Sequence, residues 1–134
     1  METMNHEYYV SSEIAKLLEK AGFDWKCRKC YNKGVLFDIE PDEIRTQTPQ
    51  HSSYDVLAPT LDVAQRWLRE VKNCYTGIDV FVRNLDKNNT YYNRWFVYFN
   101  GARYSGSNYD DTQYYEDAQE AGIKKALEII NKGE

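Results

Sequence analysis

Two cysteines three residues apart, Cys27-Arg28-Lys29-Cys30, are the side chains in this chain best suited by type to metal or thiol chemistry. Cys74, His6 and His51 would complete a zinc site in number. The spacing argues against it. There is one such pair, where structural zinc normally uses two. The pair also falls on an expected strand, where positions three apart point to opposite faces. A redox pair would open a helix after a strand, whereas the residues that follow here read as a hairpin. Cys27 and Cys30 are therefore weak metal candidates, read first as half-buried thiols. We expect no metal and no cofactor.

The carboxylates read similarly. Asp38, Glu40, Asp42 and Glu43 could gather a divalent ion, but their spacing lacks the Gly at the sixth position and the Glu at the twelfth of a calcium loop. They are expected to be a solvated strand end, and Asp110-Asp111 a helix cap. His51-Ser52-Ser53 with Asp55 has the residue types of a nucleophilic triad. Adjacent residues rarely present that geometry. The chain has neither a Gly-x-Ser-x-Gly elbow nor a glycine-rich phosphate loop. Catalysis has little to stand on, and a non-enzymatic protein is expected.

A third set is basic and aromatic: Arg83, Arg94, Phe96, Tyr98, Arg103 and Tyr104, on neighbouring expected strands. On one open sheet face they would form a platform for stacking bases or nucleotides. The expectation is that a second layer, the N-terminal helix or the first hairpin, covers that face.

The elements that must position these residues are organised around 58–73. Leu61, Ala64, Trp67, Leu68 and Val71 recur at helical steps and form an apolar stripe, with Thr60 as N-cap. Before it, Ser11 or Ser12 opens a helix that runs to Ala21, and Gly22 stops it. A hairpin over 26–31 and 35–39 turns at Asn32-Lys33-Gly34, and a long polar loop spans 41–57. After it come strands at 78–83, 92–99 and about 102–106. Asn100-Gly101 marks the second hairpin turn. A last helix starts within 111–115 and ends near 131, and its Gly122 implies close packing. The order α-ββ-α-βββ-α predicts an α+β fold, an antiparallel sheet with helices mainly on one face. A single domain over 1–134 is expected, with a loose start at 1–10.

Composition bounds the function. The net charge of −4 disfavours a nucleic-acid partner. The 12 tyrosines suit either sheet packing or a contact surface. The start has no signal-peptide pattern and no stretch is long and apolar enough to span a membrane, so a cytoplasmic protein with free thiols is expected. Asn88-Asn89-Thr90 then means only a polar loop.

Two resemblances follow. The order helix, three strands, helix over 60–131, with Ala118 to Leu127, resembles a double-stranded RNA-binding domain. That family opens its last helix with a Lys-Lys-x-Ala-Lys run for phosphates. Here Tyr114-Tyr115-Glu116-Asp117-Ala118-Gln119 would repel them. A wider resemblance is carried by Ser12-Glu13-Ile14-Ala15-Lys16-Leu17-Leu18 with Gly22-Phe23, by Ala58-Pro59-Thr60 with Trp67-Leu68-Arg69-Glu70, and by Tyr115-Glu116-Asp117-Ala118 with Ala126-Leu127-Glu128. These blocks are similar to small proteins of gut Bacteroidetes genomes, prophages and phages that have no assigned activity. That resemblance implies a phage accessory or host-interaction role. The reading is a small binding protein whose partner is a host protein or small ligand; the alternative is nucleic-acid or nucleotide binding on the aromatic and arginine face.

Overall fold

The computed structural model describes residues 8–46, 55–83 and 90–133, without the side chains of 45, 46 and 83. His6, the triad types at 51–53, the middle of the 41–57 loop (47–54) and the sequon residues Asn88 and Asn89 lie outside the described residues.

The first helix, α1 (Ser12–Lys20), starts where Ser11 accepts a hydrogen bond from the Ile14 N–H. It ends in a Schellman arrangement. Gly22 takes φ +98°, its N–H donates to Glu19 O, and the Phe23 N–H donates to Leu18 O. This turns Phe23 back into the core, edge-on to Trp67 at 5.4 Å between ring centroids.

Strands β1 (Lys29–Asn32) and β2 (Val35–Asp38) form a hairpin around Lys33-Gly34, both at positive φ. The expected long loop is partly built. It holds the short helix α2 (Pro41–Thr46) and the two-residue strand β3 (Val56–Leu57). Pro41 suits a first helical position, and Asp42 and Glu43 face the positive end of the dipole. β3 has no local pattern to announce it. It exists because Leu57 and Val56 pair with Cys30 and Tyr31. The start is also tied down from Tyr8 onward. Tyr9 bridges Thr60, and the fully buried Val10 donates its N–H to Pro59 O.

Helix α3 (Leu61–Val71) is capped by Thr60, which accepts from the Val63 N–H. Its stripe buries Leu61, Ala64, Trp67 and Leu68 as expected, while Val71 is half exposed. Strands β4 (Tyr75–Arg83), β5 (Thr90–Phe99) and β6 (Ala102–Ser105) make a second antiparallel sheet in the order β4-β5-β6. The architecture is α+β. Its strands form two three-stranded sheets, where one sheet was expected, and α2 and β3 add to the expected order.

Helix α4 (Tyr115–Lys132) crosses β4 and β5. Gly122 is the reason it can approach. A Cβ there would stand 3.1 Å from Trp95 Cβ. None of Asp110, Asp111 and Thr112 caps this helix, contrary to expectation, and its N-cap Tyr114 makes no side-chain cap bond. Asp110 instead closes a capping box with Ser107 around a 3-10 turn at Asn108–Asp110. One contiguous buried cluster runs from Val10 and Ile14 through Trp67, Leu68 and Val97 to Leu127 and Ile130.

Candidate partner-binding face

Strand β5 alternates strictly. Asn93, Trp95 and Val97 are buried, with Trp95 against Gly122 of α4, while Arg94, Phe96 and Tyr98 point the other way. Register then assigns the rest of that outer face. Tyr98 lies opposite Tyr75 and Arg103, Phe96 opposite Gly77, Arg94 opposite Asp79, and Tyr92 opposite Phe81. Arg83 falls on the same face by register; its side chain lies outside the described residues. Tyr75 and Tyr98 are each 47% exposed, so no helix or second sheet among the described residues covers this part of the face. The expected second layer is absent there.

Tyr104 is the exception among the sequence candidates. It pairs with Val97 in the ladder and so belongs to the helix side of the sheet. The alternation from Arg103 already separates the two residues. Counting neighbouring strands without their parity groups them together.

The outer face is ordered by its own side chains. The tip of the Phe96 ring lies over Gly77, where a Cβ would collide with it. The Arg103 guanidinium sits 4.9 Å from the Phe96 centroid and 5.5 Å from that of Tyr98. It also donates to Asp79 Oδ2 at 2.8 Å. Phe96 and Tyr98 meet edge to face at 5.5 Å. Arg94 lies 4.6 Å from the Phe81 centroid and donates through Nε and Nη2 to the two oxygens of Asp111, at 2.7 and 2.9 Å. These carboxylate hydrogen bonds raise both arginines further above their ordinary value, so their charge is permanent.

Asp111 reaches Arg94 because the chain returns to the sheet. After β6, Gly106 donates its N–H to Trp95 O. The turn then runs to Thr112, which exchanges backbone hydrogen bonds with Asn93. Asn93 is buried, and its side chain also donates to Thr112 O. Tyr75, Asp79, Phe81, Tyr92 and Asp111 belong to the face but were not among the sequence candidates. For Phe81 and Asp79 the signal was present, because Ile78, Val80 and Val82 define the opposite parity. For Asp111 no local signal exists, since its role depends on the Asn93–Thr112 pairing.

Cys27, Cys30 and Cys74 are free and buried. Cys27 precedes β1 rather than lying on it, and Cys30 sits inside the strand. Burial pushes the Cys27 thiol up to about 12, with Cys30 nearby adding to it, and pushes Cys74 up to about 11. Burial also raises Cys30, with Glu43 and Asp55 contributing. All three are protonated at neutral pH. Among the described residues no group of three His, Cys, Asp or Glu side chains is placed to hold a metal ion. No helix among them is long and apolar enough to cross a membrane.

No family model matches the chain, and no curated protein or solved structure matches it either.

Proposed function

We propose that the protein is a non-enzymatic binding module whose outer β4-β5-β6 face docks a partner protein. The observation that carries this reading is the pre-ordered array of Phe81, Phe96 and Tyr98 with Arg94 and Arg103, partly to well exposed, beside the exposed Tyr75. Tyrosine and arginine are the residue types that dominate binding energy at protein interfaces. Here their rotamers are already held by stacking and carboxylate pairs, which lowers the entropy cost of docking. Strands of nine, ten and four residues set about 4.8 Å apart give a footprint of roughly 350 Å². That is about half of a standard interface side, which suits a transient complex or one that also uses adjoining surface. The cytoplasmic setting in this proposal rests on the composition and the start of the sequence, and the accessory role and phage origin rest on the sequence resemblance.

The same rings and guanidiniums favour a second reading, stacking of nucleic-acid bases. Two observations place it behind the first. Arg94 and Arg103 each already hold a carboxylate, and the chain is net −4. A phosphate would have to displace Asp111 or Asp79.

A photo-crosslinking amino acid at position 98, with the same group at Lys16 on α1 as control, tests the proposal in host lysate. Adducts to a discrete protein from position 98 only, lost in Arg103→Glu, are expected. Equal labelling from both positions would overturn it. Fluorescence anisotropy with single- and double-stranded oligonucleotides decides the second reading. Salt-dependent binding that falls on Arg94→Ala would put nucleic acid first.

A further inference from the structure

A groove of about 750 Å³ opens on the opposite side of the sheet, where the end of α1, the end of α4 and β6 meet. Its volume falls in the usual range for small-molecule sites. Leu17 and Ile129 give it apolar wall, and Tyr104 adds a half-exposed ring. Lys20, Lys125 and Lys132 bring three ammonium groups, and Glu128 brings one carboxylate. Three positive charges less one negative leave the groove at +2. None of these lysines is ion-paired among the described residues, in contrast to Lys124, which holds Glu13.

A further polar group beside the groove lacks a hydrogen-bond donor. Asn131 lines the groove, and its side-chain N–H donates to Leu17 O at 3.2 Å. Its Oδ1 is buried, and no described group donates to it. A buried acceptor of this kind is satisfied by a hydroxyl or N–H donor.

From the charge and the apolar wall, we infer that the groove binds a small phosphate monoester carried on a ring body. The dianionic phosphate matches the +2 of the lysine set, and Tyr104, Leu17 and Ile129 cover the ring. This site is separate from the outer sheet face and does not depend on it.

Amide-resolved NMR titration with adenosine monophosphate as the probe tests the inference, with adenosine and inorganic phosphate as controls. Saturable shifts are expected at 17–20, 104 and 125–133, with a dissociation constant of about 1 mM or tighter. Both controls should bind at least about tenfold more weakly, because each lacks half of the recognised groups. Lys125→Glu should weaken binding at least about fivefold by reversing one charge, and added salt should act in the same direction. Arg103→Ala should leave it unchanged. If Lys125→Glu loses its dispersed spectrum, the double variant Lys20→Gln, Lys132→Gln carries the same expectation. The inference is overturned by shifts on the outer face instead of the groove, by adenosine binding as well as the monophosphate, by charge variants without effect, or by no saturation up to about 10 mM.

Discussion

The two faces of β5 differ by a single residue step and do opposite things. On one, Trp95 and Val97 are buried, and α4 comes so close that a Cβ at position 122 would stand 3.1 Å from Trp95 Cβ. On the other, Arg94, Phe96 and Tyr98 are arranged by charge pairs and ring contacts with water beside them. The helix face is held by burial, which contributes about 1.5–3 kcal/mol for each large apolar side chain removed from water. The Arg103 side of the outer face is held by interactions that are each weak in solvent, while Arg94 is anchored by the buried Asp111 carboxylate. The contrast teaches that order and stability are separate properties here. The exposed part of the outer face, around Tyr75, Tyr98 and Arg103, is well arranged and contributes little to the fold, so its residues are free to serve recognition.

The largest break in that comparison is expected on the core side. Trp67 is fully buried against Phe23, and Trp67→Ala should cost about 3–5 kcal/mol through lost transfer energy and the cavity left behind. Denaturant melts should show the midpoint well down at constant slope. A shift below about 1 kcal/mol would mean that the core lies elsewhere.

The buried thiols make a smaller, pH-dependent mark. In the unfolded chain they ionise near 9.0, whereas in the fold Cys27 is pushed up to about 12 and Cys74 to about 11. Between those values the unfolded state binds fewer protons, so stability falls as pH rises. Their contribution is complete below pH 9 and is lost progressively above it. The loss at pH 10 should amount to about 1 kcal/mol per thiol. Melts from pH 8 to 10.5 of the wild type and of Cys27→Ala with Cys74→Ala check this. An alkaline slope unchanged in the double variant would remove the assignment.

A matched pair of glycines gives the smallest and sharpest test. At Gly122 an added methyl meets Trp95 at its Cβ, close to the backbone, and cannot be avoided by a rotamer change. Overpacking of about 1–3 kcal/mol should exceed the helix-propensity gain of about 1 kcal/mol in Gly122→Ala. At Gly77 the methyl meets the far end of the Phe96 ring, which can swing into solvent. Gly77→Ala should cost under about 1 kcal/mol, yet disturb the Arg103 stack and reduce crosslinking from position 98. Equal destabilisation by both would mean that the two faces are not distinct.

Much of this arrangement is legible locally. Helical spacing and Thr60 mark α3, and Asn100-Gly101 marks the β5-β6 turn, with Asn100 at φ +53° and Gly101 at +79°. Alternation marks the two faces of β5. These features depend on neighbours in the chain, and their physics is complete within a few residues. Local pattern also foretold that Gly122 has a packing reason, because a glycine inside a helix is costly without one.

What only the tertiary structure decided depends on partners distant in sequence. β3 is two residues long and exists through its pairing with β1. Asp111 looked like a helix cap and became the partner of Arg94, because the chain returns to Asn93 at Thr112. Tyr104 left the arginine face and joined a groove with Lys20 and Lys125, which lie on the two helices that meet there. The sequence by itself determined the longer helices and strands and the apolar side of α3 and of the middle of β5, since these follow from short-range geometry and water. Which charges meet, and which polar side chains share a surface, was set by register and crossing, and those follow only from packing the whole chain.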